Sequence, residues 1–215
     1  EKDKETELIK SLETEIIQTI EKLEQPEAKK ILCLASYRPL HQYNWCQKLK
    51  GLDNLEEVKS RLIIEPYAER VIATEITTLG EISDNVSYKV RLQYEENPYP
   101  RWVKLRIGTK AKSISEISAE ANLHLHSESI KNVIAPAILI AGCGTGQQSI
   151  TTASRFSNCQ VTAVDLSLAS LAYAKRKTTE LGITNIEYLQ ADILKLDQLK
   201  QKFDIIESVG VLHHM

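Results

Sequence analysis

The stretch Ile138–Ser149, which reads ILIAGCGTGQQS, decides the fold. An apolar run over residues 137–141 comes directly before three glycines, Gly142, Gly144 and Gly146, and polar residues follow them. An apolar run of this length bounded by glycine is typical of a buried parallel strand. Glycines at alternate positions allow a sharp turn in which no Cβ blocks a ligand. Because a helix that begins there points unpaired N–H groups into the turn, the pattern predicts the nucleotide-binding turn of a doubly wound α/β domain.

The spacing of the glycines separates this turn from other nucleotide-binding turns. A dinucleotide fingerprint, G-x-G-x-x-G, needs its third glycine at position 147, where the chain has Gln147. A phosphate loop, G-x-x-x-x-G-K-[ST], is absent from the sequence. The observed G-x-G-x-G spacing therefore disfavours an NAD-dependent oxidoreductase and a triphosphate-binding protein. The form GCGTG resembles motif I of class I S-adenosylmethionine-dependent methyltransferases.

The residues after the glycines follow a β-α-β rhythm. Strands are predicted at Cys159–Asp165, Ile186–Gln190 and Phe203–Val209, with helices before the first two of them. Each strand ends in polar residues, and open α/β sheets bind ligands at the carboxyl ends of their strands. Asp165 lies 23 residues after Gly142, close to the usual spacing of a ribose-binding carboxylate.

Four stretches match the class I methyltransferase pattern in order over residues 137–215: GCGTG, AVD, QADI and FDIIESVGVLHH. The resemblance implies a Rossmann-like doubly wound α/β sheet and S-adenosylmethionine as the cofactor. It implies that Asp165 accepts hydrogen bonds from the ribose hydroxyls and that Asp192 and the Ile193 backbone bind the adenine edge. Ser208 and Val209 would face the methionine portion. The cofactor-binding residues implied by the resemblance are Gly142, Cys143, Gly144, Gly146, Asp165, Leu166, Asp192, Ile193 and Ser208.

The sequence departs from the family pattern at two places. The family usually has an acid two residues before the first glycine, where this chain has Ile140, and that carboxylate commonly helps to hold the ligand's amino group. The family sheet has seven strands, whereas the predicted strands here end with the fourth, which should lie beside the first. We therefore expect a truncated domain that does not transfer methyl groups by itself. His213 and His214 lie where a catalytic base could sit, although structural and solvated histidines are the alternative.

Three regions are predicted along the chain. Residues 1–82 form a helical N-terminal region, because apolar residues recur there at helical spacing. Residues 83–135 hold a helix, with Val86, Val90 and Tyr94 on one face, and a segment rich in proline and aromatic residues. Residues 136–215 hold the Rossmann-like domain. The sequence of the middle segment resembles a stretch found in bacterial proteins that join tetratricopeptide-like helices to a methyltransferase domain. Its Tyr94, Tyr99 and Trp102 are candidates for a lid over a ligand, with a packed linker as the alternative.

The composition of the chain bears on which partners, metal sites and cellular location we expect. The net charge of −2 gives no basic surface for nucleic acid, and no apolar run approaches the ~20 residues of a membrane span. The four cysteines lack the spacing of a zinc site or a disulfide framework, so we expect no metal, reduced thiols and a cytoplasmic location. The partners that we expect are an unidentified methyl acceptor, either a small molecule or a protein, and a protein partner at the N-terminal helices.

Two function classes follow from the sequence. The first is a methyltransferase that transfers a methyl group from S-adenosylmethionine to an unidentified acceptor. The second is a non-catalytic nucleoside-binding or interaction protein that keeps half of a methyltransferase domain.

Overall fold

The computed structural model describes residues 2–49, 55–108 and 110–212. The chain divides into two compact units, residues 1–68 and residues 69–215. This division falls 14 residues before the predicted end of the helical region at residue 82. The reason is that a short strand and part of a helix between the two positions pack with the C-terminal unit.

The N-terminal unit is helical. Its isoleucine and leucine side chains Ile16, Ile31, Leu34 and Leu40 are fully buried and form its core with Tyr43 and Trp45. The apolar spacing of the sequence explains this core, because residues three or four apart share one face of a helix. Its elements are α1 (Lys2–Glu21), α2 (Ala28–Ala35), 3₁₀ turns at Leu40–Gln42 and Cys46–Lys48, α3 (Glu56–Lys59), a π turn at Ser60–Ile64 and the start of α4 (Glu65–Thr74).

A parallel five-stranded sheet forms the centre of the C-terminal unit, in the order β1-β4-β3-β2-β5. The predicted fourth strand, β5, pairs with the predicted first strand, β2, which confirms the expected arrangement. A strand that the sequence analysis had assigned to the helical region pairs with β4 at the opposite edge, because its three residues are too few to show a period. The strands are β1 (Thr77–Leu79), β2 (Ala137–Ala141), β3 (Gln160–Asp165), β4 (Ile186–Ala191) and β5 (Ile205–Glu207).

Both faces of β2 are covered, as its continuous apolar run predicts. Ile138 and Ile140 pack in one core with residues of α6, α8 and α9, whereas Leu139 and Ala141 pack in another with residues of the turn at Ile193–Leu199. The helical elements of this unit after α4 are α5 (Asn85–Glu96), α6 (Ile114–Glu120), α7 (Glu128–Lys131), α8 (Gln147–Arg155), α9 (Leu168–Glu180) and that 3₁₀ turn, Ile193–Leu199.

A membrane-spanning helix is not found among the described residues, since none of their helices combines the necessary length with the necessary apolarity.

A buried ion cluster holds three segments of the C-terminal unit together. The Glu69 carboxylate on α4 accepts hydrogen bonds from Arg176 Nε of α9 at 3.0 Å and from Arg101 Nη2 at 2.9 and 3.0 Å. Glu69 and Arg176 are both buried, and the guanidinium groups of both arginines lie over the ring of Tyr173. Removal of one member of such a cluster leaves its partner charge buried and poorly compensated.

We expect Glu69→Ala to lower the free energy of unfolding by about 3–5 kcal/mol, the usual cost of breaking a buried ion pair. The control is Arg61→Ala, which removes the more exposed Arg61–Glu57 pair and should cost less than about 1 kcal/mol. Urea denaturation measures both. Equal costs for the two substitutions would show that the Glu69 cluster does not stabilise the fold.

Candidate functional site

A cavity of 560 Å³ opens at the carboxyl ends of the central strands. It is of the size that small-molecule sites usually have, roughly 300–1,000 Å³. Its floor comes from the segments that follow β2, β3 and β4, and one wall comes from α5 and the segment after it. The parallel sheet therefore brings together polar residues that lie far apart in the sequence.

The glycine turn after β2 is held close to β3. The N–H groups of Gly142 and Cys143 both donate to the carbonyl oxygen of Val164, each at 2.9 Å. Gly142 has φ +81°, and a Cβ there would lie 2.3 Å from the Val211 side chain. Gly144 has φ +50° and lines the cavity, and a Cβ there would meet only the Tyr99 carbonyl oxygen, at 4.0 Å. The turn therefore requires glycine at 142 to fit beside Val211, and it exposes backbone to the cavity at 144.

The Asp165 carboxylate, at the end of β3, lies on the cavity floor. Its Oδ2 accepts from the Gly144 N–H at 2.8 Å, and its Oδ1 accepts from the Ser167 N–H at 3.0 Å. Burial raises the pKa of Asp165, and the hydrogen bonds from Ser167 and Gly144 oppose that rise. Each oxygen keeps a further lone pair, so the carboxylate can accept hydrogen bonds from a ligand's hydroxyl groups.

Asp192, directly after β4, has a carboxylate oxygen without a partner. Oδ1 accepts from the Leu194 N–H at 2.9 Å. Oδ2 is buried and has no hydrogen-bond partner among the residues that the structure describes. An unpaired buried acceptor is costly, which makes this oxygen a place for a ligand donor in the cavity that Asp192 lines.

The wall formed by α5 is the helix face that the sequence spacing indicates. Val86, Val90 and Tyr94 recur every four residues and line the cavity. The helix begins at Asp84, whose Oδ1 accepts from the N–H groups of Val86 and Ser87, both at 2.9 Å. At the other end, the Ser167 hydroxyl donates to the Tyr94 carbonyl at 3.1 Å and joins α5 to the start of α9.

Residues 138–215 match the family model described as "Methyltransferase domain". The C-terminal unit therefore contains a segment that is similar to methyltransferase domains, the class of protein that the four sequence motifs resemble. Its parallel sheet, its G-x-G-x-G turn and the acids after β3 and β4 are the features that the sequence analysis associates with this family.

Relatives of the chain include plant N-methyltransferases. It is 28% identical over 213 residues to (S)-coclaurine N-methyltransferase of Papaver somniferum, which covers 97% of this chain and 56% of the relative. It is 25% identical over 182 residues to (S)-tetrahydroprotoberberine N-methyltransferase of Eschscholzia californica, covering 83% and 47%. Magnesium protoporphyrin IX methyltransferase from Synechocystis, solved with bound SAM, is a structural neighbour at 20% identity and TM-score 0.41, covering 63% of this chain and 67% of that one. The chain spans about half the length of the two curated N-methyltransferases.

The C-terminal unit brings most of the predicted site residues to one cavity. Those that line it are Gly142, Cys143, Gly144, Asp165, Leu166, Asp192, Ile193, Val209, Tyr94 and Tyr99. Three others face protein instead: Gly146, Ser208 and Trp102. Ser208 donates its hydroxyl to the Ala141 carbonyl at 3.1 Å, which holds the end of β5 against β2. His213 and His214, the candidate bases, lie outside the described residues.

Trp102 is an anchor within the C-terminal unit. Its ring is buried and meets the ring of Tyr173 edge to face, with 5.9 Å between centroids. Its Nε1–H donates to the Thr145 carbonyl at 2.9 Å, and the Thr145 hydroxyl donates to the Pro100 carbonyl at 2.7 Å. Tyr99 differs, because it lines the cavity and is largely exposed. The segment therefore combines a packed anchor at Trp102 with a cavity-facing ring at Tyr99.

Several cavity residues were not predicted from the sequence. Thr145, Gln147 and Gln148 continue the glycine turn into α8, and Val211 and Gly210 follow β5. The position of Gln147 and Gln148 at the start of a helix after a ligand-binding turn is the signal that could have identified them. The spacing of the sequence placed Val86 and Val90 on one helix face without assigning them to a site. The remaining unpredicted residues of the lining are Asp84, Ser87, Pro100, Ser170 and Leu194.

Gly146 packs between two helices and does not line the cavity. It has φ +87°, and a Cβ there would lie 2.6 Å from the Ala174 Cβ of α9 and 3.2 Å from the Tyr188 hydroxyl. The close approach of α8 to α9 therefore depends on the missing side chain. Gly182 offers a matched control, because it has φ +69° but nothing within 4 Å of an added Cβ.

We expect Gly182→Ala to cost about 1 kcal/mol of stability through backbone strain alone. Gly146→Ala should cost roughly 1–3 kcal/mol more, because the new methyl group must displace α9. Denaturant titration of both variants provides the comparison. If the two substitutions cost the same, the helix contact at Gly146 is not tight.

Proposed function

We propose that the cavity binds S-adenosylmethionine and that the domain transfers its methyl group to a nitrogen acceptor. The observation that carries the cofactor proposal is the unpaired, buried Oδ2 of Asp192, which lines the same cavity as the exposed glycine turn and the Asp165 carboxylate. A nucleoside has an amino group and two ribose hydroxyls, which can donate hydrogen bonds to the carboxylate oxygens of these two acids.

The residues of the cavity suit the parts of this cofactor. Asp165 would accept from the ribose hydroxyls, since charged acceptors form the stronger hydrogen bonds. Asp192 Oδ2 would accept from the adenine amino group, which would relieve its unpaired state. Gly142 and Gly144 leave the backbone open between these two acids and the β5 side of the cavity.

Bound S-adenosylmethionine supplies a methyl group on a positively charged sulfur, and the thioether that leaves needs no proton. The chain therefore has to orient the acceptor and exclude water. Val86, Val90 and Val209 give the cavity apolar walls, and Tyr94 and Tyr99 place aromatic rings on the α5 side. A base is necessary only for an acceptor that must lose a proton.

A nitrogen acceptor is supported by two observations. The Papaver somniferum relative is named an N-methyltransferase, and its similarity covers nearly all of this chain. Tyrosine rings and the Asp84 carboxylate also line the same wall of the cavity. Aromatic rings and a carboxylate suit an amine whose methylated product carries positive charge.

The cofactor proposal predicts a change of base preference. Asp192→Asn should weaken binding of S-adenosylhomocysteine by about 10- to 100-fold, since an amide N–H would then face the adenine amino group. The same variant should gain relative affinity for S-inosylhomocysteine, whose ring carbonyl accepts a hydrogen bond. Calorimetric titration measures both ligands.

The matched control is Asp197→Asn, an exposed aspartate in the 3₁₀ turn, which should leave both affinities unchanged. Wild-type protein should bind S-adenosylhomocysteine more tightly than NAD. Tighter NAD binding, or an unchanged base preference in Asp192→Asn, would contradict the proposal.

The acceptor proposal replaces the expectation that the domain does not transfer methyl groups by itself. It predicts transfer of labelled methyl from S-adenosylmethionine to secondary or tertiary alkylamines but not to phenols or carboxylates of similar size. Mass spectrometry of the products identifies the methylated atom. Methylation at oxygen or carbon would refute a nitrogen acceptor. Cofactor binding without transfer to any acceptor would favour the nucleoside-binding alternative.

Three further statements stay predictions from the sequence. They are the tetratricopeptide-like character of the N-terminal helices in a bacterial protein, a protein partner at those helices, and a cytoplasmic location.

A further inference from the structure

Position 140 lacks the acid that the family usually has, and the structure places another acid beside it. Ile140 on β2 is buried in the apolar core of the helical face, where a carboxylate would be costly. Its register partner on the neighbouring strand β5 is Glu207. Paired residues of parallel strands share a face of the sheet, so this carboxylate lies on the side where Ile140 packs.

The Glu207 carboxylate is held by α8. Its Oε2 accepts from Gln148 Nε2 at 2.5 Å and from the Thr152 hydroxyl at 2.8 Å. Thr152 is buried, and Glu207 is partly buried. No cationic side chain within the described part of the chain forms an ion pair with Glu207. Its negative charge is therefore compensated there only by two neutral donors.

These contacts fix the orientation of Gln148, which lines the cavity. An ionised carboxylate can only accept hydrogen bonds, so the amide NH₂ of Gln148 must face Glu207. The amide carbonyl oxygen is consequently turned away from Glu207 and stays available as an acceptor. The negative charge of Glu207 polarises the Gln148 amide. The amide carbonyl oxygen therefore favours a positively charged donor.

We propose that Glu207, acting through Gln148, positions the ammonium group of the cofactor's amino-acid portion and so replaces the acid missing at position 140. This inference rests on the proposed cofactor. It makes Glu207 a positioning residue, since Gln148 is the group that would touch the ligand. It also explains why the chain tolerates Ile140: the negative charge sits one strand further along the sheet.

The test compares S-adenosylhomocysteine with its deamino analogue, which lacks only the ammonium group. Glu207→Gln keeps the shape and a carbonyl acceptor but removes the charge. We expect it to weaken S-adenosylhomocysteine binding by about 10- to 100-fold and to change binding of the deamino analogue by less than about twofold. A purely structural role of Glu207 would alter both affinities equally.

Two variants guard against loss of fold or of net charge as the cause. Gln148→Leu keeps Glu207 and should give the same selective loss for the ammonium-bearing ligand. Glu187→Gln removes an exposed carboxylate from β4 and should leave both affinities unchanged. Failure of the wild-type protein to bind either ligand would refute the proposed cofactor. Binding of both ligands by wild type, with no selective loss in Glu207→Gln, would refute the role of Glu207 alone.

Discussion

The geometry of the site depends on the Asp165 carboxylate, which bridges two backbone N–H groups. One belongs to Gly144 in the turn after β2, and the other belongs to Ser167 at the start of α9. A single side chain thereby fixes the glycine turn relative to the next strand and helix. In the proposed function the same carboxylate accepts hydrogen bonds from the ribose hydroxyls, so one side chain both shapes the cavity and binds the ligand. Its raised pKa reflects the burial that this double role requires.

The α5 wall of the cavity is tied to the glycine turn by a chain of hydrogen bonds. Trp102 donates to the Thr145 carbonyl, and the Thr145 hydroxyl donates to Pro100 on the same segment as Trp102. The Tyr173 hydroxyl donates to the Trp102 carbonyl, which connects the segment to α9. These contacts place Tyr99 at the mouth of the cavity while the neighbouring residues stay packed. The wall is therefore built from a region that precedes the methyltransferase motifs in the sequence.

Three acids lie in or near the cavity, and the contacts that hold them are not visible in any single sequence motif. Asp165 and Asp192 follow adjacent strands, and Glu207 lies beyond Ile140 on β5. Each acid has a different local partner: backbone N–H groups for Asp165, one N–H group for Asp192, and two side chains of α8 for Glu207. Asp165 and Asp192 line the cavity themselves, whereas Glu207 contacts Gln148, which lines it.

The sequence by itself determined the parallel sheet, the pairing of β5 with β2, the glycine turn and the acids after β3 and β4. Local patterns suffice for the strands, the glycine turn and the acids, since strand period, glycine spacing and the carboxyl ends of parallel strands follow from the backbone. The pairing of β5 with β2 was implied by the family resemblance. It also indicated the face of α5 that carries Val86, Val90 and Tyr94, because helical spacing is a local property.

Only the tertiary structure decided that Gly146 separates two helices, that Trp102 anchors a segment, and that Thr77–Leu79 extends the sheet. It alone placed Glu207 beside Ile140 and gave Gln148 its orientation. The physical reason is that these roles depend on which side chains meet across strands and helices. Residues 140 and 207 are 67 positions apart in the chain, and no local pattern records that the sheet brings them into register.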